Sequence, residues 1–306
     1  MSKQFLQKTP VVCILALLCT ALWGSAFPSI KIGYRLFSIA TNDSASQIIF
    51  AGIRFTLAGL LVIIFASIRE KKLYIPTMTS FPKILTLALF QTILQYSFFY
   101  ISMARMSSVK GSILNGTGTF FAILLAALFF RAEKLSTRKI LGCIVGFIGL
   151  VVVNISGSSF DLSFSPFKEG YMLIAALSSG FSNVFIRLFS QKENPVLLSG
   201  YQFCLGGIAL ILLGKILGGT MIPLHPVAFV LLLYMALISA VAYTIWGILL
   251  KYNPVSKVSI FGFTIQIFGV LLSAVILKEY QNLNLYAGIA LVLVSLGIYL
   301  VNHSKA

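Results

Sequence analysis

The chain has 306 residues, of which 58% are hydrophobic and 10% are charged. Soluble domains carry about 25% charged residues, so this composition excludes an ordinary water-soluble protein and makes a lipid bilayer the natural solvent. The net charge of +16 would indicate nucleic acid in a soluble domain, but here the basic residues lie between long apolar runs. We therefore predict no nucleic-acid partner.

Long apolar runs occupy most of the chain, and a membrane-crossing helix needs about 20 such residues. The first run follows Lys3 and Lys8, as in a signal peptide, but further apolar runs follow it instead of a soluble domain. We interpret it as an uncleaved first helix and predict an all-α integral membrane protein with ten transmembrane helices. In chain order the predicted spans are 11–30, 48–68, 84–104, 111–130, 138–155, 170–189, 196–217, 227–250, 255–277 and 283–302.

The loops between these runs differ in charge. Lys and Arg are more frequent in the segments on the side of the N-terminus than in the segments on the opposite side. Cytoplasmic loops carry an excess of Lys and Arg. The bias predicts a multi-pass protein of the cell (inner) membrane with both termini in the cytoplasm.

The two halves of the chain resemble each other, which predicts two repeats, residues 1–156 and 157–306. The stretch AGIRFTLAG at 51–59 aligns without a gap with SGYQFCLGG at 199–207, so that Arg54 falls on Gln202. Further pairs are Gly24 with Gly180, Gly116 with Gly262, and Glu133 with Glu279. Five helices per repeat is an odd number, so the repeats would have inverted topology, an arrangement that recurs in transporters with a substrate site near the midplane.

Several of these residues carry a family resemblance. The run Leu22-Trp23-Gly24-Ser25-Ala26-Phe27 resembles the first-helix signature of the drug/metabolite transporter superfamily, EamA-like branch, and Arg54-Phe55 resembles the R-F pair of its second helix. Glu133 and Glu279 are similar to the acidic residues that end its fourth and ninth helices. The resemblance implies ten helices, cytoplasmic termini, a cavity lined mainly by helices 1, 3, 4, 6, 8 and 9, and transport of small organic solutes, often amino acids or related metabolites and frequently as export.

Polar and aromatic residues within the apolar runs are the candidate substrate-binding residues, because polar side chains in hydrocarbon are costly unless they face a cavity or one another. Gln91 and Gln95 share a helix face, as do Asn115 and Thr119. The full candidate set is Trp23, Gln91, Gln95, Tyr96, Asn115, Thr119, Asn183, Tyr243, Trp246 and Gln266. Neutral amides and aromatic rings suit a zwitterionic or uncharged solute with an apolar portion. The alternative for the polar members is hydrogen bonding between helices, and for the aromatic ones a belt at headgroup depth.

We expect structural roles for the charged residues within and beside the apolar runs. Arg54 could bind a carboxylate, but it falls a turn or two from the predicted outer end of its helix, so we expect it to snorkel to the interface. Glu133 and Glu279 lie at helix ends, where we expect capping of the next helix or salt bridges. All acidic residues fall in loops or at helix ends, so no buried proton relay is visible and a uniporter or exchanger fits best.

No cofactor or metal is predicted, because the chain has neither a Walker sequence nor metal-ligand spacing of its cysteines. Two alternatives to an alternating-access transporter stay open: a solute channel, and an integral membrane enzyme that acts on lipid. Gly142 and Gly146 at close-approach spacing predict tight packing within the chain or a dimer contact, so the protein is expected to be a monomer or a homodimer.

Overall fold

The computed structural model describes residues 3–105, 108–155, 164–222, 225–278 and 285–303, and every regular element within these ranges is helical. After a single turn at Lys3–Gln7, ten long helices follow. They are α1 (Thr9–Leu36), α2 (Ser44–Glu70), α3 (Phe81–Met103), α4 (Gly111–Phe129, with helical backbone from Ser108), α5 (Thr137–Ile155), α6 (Pro166–Phe189), α7 (Pro195–Ile216), α8 (Val227–Tyr252), α9 (Val255–Ile276) and α10 (Leu285–Asn302). Within the described ranges, the nine helices other than α5 are long and apolar enough to cross a membrane.

The predicted helical fold is confirmed, and the predicted spans agree with the helices to within a few residues. The largest difference that matters is at the start of α2, which begins at Ser44 rather than at residue 48. The Asp43 side chain accepts a hydrogen bond from the Ser46 amide at 3.0 Å and so caps the helix. Helix α5, which is not among these nine, lies where the fifth span was predicted. Its crossing of the membrane stays a prediction.

Equivalent helices of the two repeats pack against each other through glycines. A Cβ built on Gly52 of α2 would lie 2.7 Å from the carbonyl oxygen of Gly207 on α7, and one on Gly59 would lie 2.5 Å from that of Gly200. The early glycine of one helix therefore meets the late glycine of the other, as in an antiparallel pair. This is the contact expected if the repeats are inverted.

The same reciprocity holds around the centre of the bundle. Gly24 on α1 is packed against the Cβ of Phe268 on α9, and Gly180 on α6 is packed against the Cβ of Phe121 on α4. Gly24 and Gly180 are the pair that the sequence aligned. Their shared role brings α1 against α9 and α6 against α4.

The glycines of α5 pack within the chain. Gly142 faces the carbonyl oxygen of Gly297 on α10, Gly146 faces the ring of Phe263, and Gly149 faces Val294. This contact accounts for the close-approach spacing without a second copy of the chain.

The helices that reach the centre of the bundle are irregular there. Helix α3 has π-helical bonding over Ala88–Leu94, and α9 has a 3-10 turn at Ile260–Phe263. Pro28 lies inside α1, where it removes one backbone hydrogen bond. Such interruptions are frequent at functional sites, and these three lie on helices that line the cavity described below.

The outer surface of the bundle is apolar. Phe65 is 69% exposed, Ile68 70% and Val230 68%. Contiguous apolar surface of this kind is unfavourable in water and is matched by lipid chains.

Candidate functional site

A cavity lies between the two repeats, with about 1160 Å³ of empty space including the part that opens to solvent. All ten candidate residues from the sequence line it, so the structure brings the whole set together. They come from α1, α3 and α4 of the first repeat and from α6, α8 and α9 of the second, the helices that the family resemblance implied. Their binding of a solute stays a proposal.

Some of the candidate residues already bond to one another across the cavity wall. The Trp246 Nε1–H donates to Asn183 Oδ1 at 2.7 Å, and the Asn183 amide nitrogen donates to the Ser179 carbonyl oxygen at 2.9 Å. The hydroxyls of Tyr96 and Tyr243 are 2.6 Å apart. For these four residues the alternative interpretation, hydrogen bonding between and within helices, describes the contacts observed. The bonds hold this part of the cavity wall together.

Other candidate residues present unused hydrogen-bonding groups. The Gln91 Oε1 and the Trp23 Nε1–H are buried without a partner. Among the described residues, the side chains of Gln95, Asn115 and Gln266 have no hydrogen bond either. A buried polar group without a partner costs free energy, so this part of the lining is suited to a ligand or to water rather than to helix packing.

The aromatic candidate residues form one wall of the cavity. Trp23 packs edge-on against Tyr243 at 4.8 Å and against Trp246 at 5.1 Å between ring centroids. Tyr96 lies 4.4 Å from Phe55, which stacks on Phe203 at 5.2 Å. These rings line the cavity, whereas the rings of a belt at headgroup depth would contact lipid.

The expectation for Arg54 is wrong. Because α2 begins at Ser44, Arg54 lies about ten residues, or about 15 Å, from the helix start, and its side chain turns to the cavity rather than toward the helix end. Its side chain is 5% exposed and lines the cavity. The guanidinium carbon lies 4.3 Å from the Phe55 ring centroid and 5.8 Å from that of Tyr96.

The sequence missed further lining residues that follow a helical period from those it found. Phe27 and Ile30 continue the face of Trp23 on α1. Ser259 and Gly262 lead up to Gln266 on α9. Extending each face by three or four residues would have identified them.

Two acidic residues are buried at helix ends. Glu133 forms a salt bridge, as expected: its side chain is 7% exposed and pairs with Lys139 at 2.8 Å. It also accepts a hydrogen bond from the Ser256 amide at 2.9 Å, so the helix that it caps is α9 and not the next one. Glu169 lies in the first turn of α6, is 4% exposed and accepts a hydrogen bond from the Ser165 amide at 2.7 Å. Neither residue lines the cavity. Glu279 lies outside the described residues.

The sequence and the fold are similar to those of known proteins. A model of the EamA-like transporter family matches the chain twice, over residues 11–155 and 167–303. An uncharacterized transporter of Archaeoglobus fulgidus is 28% identical, over 94% of this chain and 97% of its own length. A protein of Escherichia coli named probable amino-acid metabolite efflux pump is 24% identical, over 93% of each chain. A solved crystal structure, 18% identical, has the same fold at a TM-score of 0.74 over 94% of this chain and 95% of that one.

The family match covers nearly the whole chain as two repeats, and the apolar helices enclose a polar and aromatic cavity between them. The chain is a multi-pass membrane protein and belongs to the EamA-like transporter family.

Proposed function

We propose that the protein exports amino acids or related zwitterionic or uncharged metabolites across the cell membrane, by alternating access at the central cavity. Both termini would be cytoplasmic. The E. coli relative that is named a probable amino-acid metabolite efflux pump supports the substrate class.

The observation that carries the proposal is the set of unused hydrogen-bonding groups in the cavity. Packing between helices would use up the amides of Gln95, Asn115 and Gln266, yet in the described part of the chain none has a side-chain hydrogen bond. A neutral solute bound between the repeats would satisfy these groups, while the aromatic wall would contact its apolar portion.

Bonds between the repeats occur at both ends of the bundle, as a transporter with alternating access needs and a permanently open pore does not. At the end of the bundle where α1 begins, Asn253 donates to the Leu6 carbonyl oxygen at 3.0 Å and Ser80 donates to Glu193 at 2.7 Å. The Glu133–Ser256 contact lies at the same end. At the opposite end, Ser102 donates to the Lys168 carbonyl oxygen at 2.7 Å and the Thr220 amide donates to Ser46 Oγ at 2.9 Å. In the proposed cycle, breaking the bonds at one end while keeping those at the other would give the cavity access to one side at a time.

The test is solute counterflow in vesicles that contain the purified protein. Asn115→Ala or Gln266→Ala should each weaken solute binding several-fold, since a neutral hydrogen bond contributes about 0.5–1.5 kcal/mol, with membrane expression unchanged. Gln4→Ala removes an exposed amide outside the cavity and serves as the matched control.

Two outcomes would contradict the proposal. If both cavity variants express well and bind like the wild type, the amides contribute to packing and the site is elsewhere. If flux neither saturates nor increases with solute on the opposite side, the protein is a channel.

A further inference from the structure

The charge of Arg54 has no counterpart in the cavity wall. Among the residues that the structure describes, no carboxylate pairs with this guanidinium, and its Nε is buried without a hydrogen-bond partner. A buried charge is unfavourable unless it is paired and hydrogen-bonded. The rings of Phe55 and Tyr96 supply part of the compensation, but an aromatic face leaves the in-plane donors of the guanidinium unused.

The position is asymmetric between the repeats. Arg54 aligns with Gln202, which does not line the cavity. Gln202 is fully buried and its Oε1 accepts a hydrogen bond from Thr92 at 2.7 Å. The fold therefore does not need a charge at this position, and the cavity carries its cationic group on the first repeat only.

We propose that Arg54 binds the carboxylate of the transported solute, an inference that rests on the proposed function. A guanidinium presents parallel N–H donors that match the two oxygens of a carboxylate. In the same lining, Gln91 Oε1 is a buried acceptor without a partner, suited to an ammonium or amide N–H of the same solute. The substrate class is a small organic acid or amino acid with one carboxylate and an apolar portion; uncharged solutes and multiply charged phosphates fit less well.

The chain provides its own reporter for the test. It contains two tryptophans, Trp23 and Trp246, and both line the cavity. Intrinsic fluorescence of the full-length protein in detergent should therefore change when the cavity is filled. The probes are matched pairs: leucine, phenylalanine and threonine, each against its own amide, which keeps the ammonium and the side chain but removes the negative charge.

The wild type should bind at least one amino acid about tenfold to a hundredfold more tightly than its amide, the range for losing a hydrogen bond between charged groups. Arg54→Gln should lose this preference, and Arg54→Lys should keep part of it because the charge remains. Arg35→Gln removes an exposed arginine of α1 outside the lining and should behave as the wild type.

Each result decides between the two proposals. Equal binding of an amino acid and its amide by the wild type, which needs no variant to fold, would overturn the role of Arg54 while leaving transport in place. A folded Arg54→Gln protein with the preference intact would overturn it as well. If the wild type binds none of the six probes and shows no counterflow with them, the proposed function fails and this inference fails with it.

Discussion

Removal of the Glu133 carboxylate should destabilise the protein strongly. Glu133 accepts hydrogen bonds from Lys139 Nζ at 2.8 Å, from the Ser256 amide at 2.9 Å, and from the Ser256 hydroxyl. Lys139 is 8% exposed in its side chain, and its remaining described acceptor is the Lys134 carbonyl oxygen at 2.7 Å. Breaking a buried pair from one side costs about 3–5 kcal/mol because the other charge stays buried. At roughly 2 °C per kcal/mol for a chain of this size, Glu133→Ala should lower the Tm by about 6–10 °C.

The measurement is thermal unfolding in detergent, followed by tryptophan fluorescence. Lys139→Met and the double variant complete a double-mutant cycle, in which the double variant should lose about 1–3 kcal/mol less than the sum of the single ones. Glu70→Gln is the control, because Glu70 is exposed at the end of α2. A Tm for Glu133→Ala within about 2 °C of the wild type, or additive effects, would refute the reasoning.

Glu133 also allows a structural role to be distinguished from proton coupling. Solute-driven flux should persist without a pH gradient in the wild type and in Glu133→Gln. Strict dependence on an imposed proton gradient, abolished by this substitution, would show that Glu133 carries a proton. The Glu193 carboxylate should contribute an acid limb to stability, because its hydrogen bond and charge pairing with Lys83 hold its pKa below the ordinary Glu value of 4.5. A lowered folded pKa stabilises above the ordinary value and the gain is lost as pH falls through the folded pKa, so between pH 7 and pH 4 the Tm of the wild type should fall more than that of Glu193→Gln; equal slopes would contradict this. In a background without native cysteines, Ser136→Cys and Ser165→Cys should be labelled from opposite sides of the membrane, the first from the cytoplasm; labelling from one side would exclude the inverted repeats.

The positions of the helices could be predicted from the sequence because a helix that crosses the hydrocarbon layer must be about 20 residues long and mostly apolar. The cavity residues could be predicted because a neutral amide such as Gln91 or Asn115 is rare in an apolar run and must face something polar. Sequence alone could not separate bonded amides from free ones: Asn183 and Gln266 look alike, yet Asn183 accepts from Trp246 and Gln266 has no described partner. That difference depends on which helices meet.

Arg54 and Glu133 show two limits of prediction from the sequence. The position of Arg54 along its helix could have been predicted, since Asp43 followed by Ser44 is a helix start signal and places the start of α2 before residue 48. The contact of Glu133 with Ser256 could not be predicted, because Ser256 is distant in sequence and is brought close by the packing of one repeat on the other. Local signals give helix ends, whereas contacts between repeats require the tertiary structure.

The asymmetry between Arg54 and Gln202 bears on how such a protein handles its solute. The glycine contacts of α2 with α7 are reciprocal, so this contact treats both repeats alike. The lining does not: the cationic group belongs to the first repeat, whereas Asn183 and Trp246 are bonded within the second. A solute held through its carboxylate would therefore keep one orientation as access reverses, with its charged end on α2 and its apolar end toward the aromatic wall. In the proposed cycle, the reciprocal contacts between the repeats would allow the motion, and the asymmetric lining would provide the selectivity.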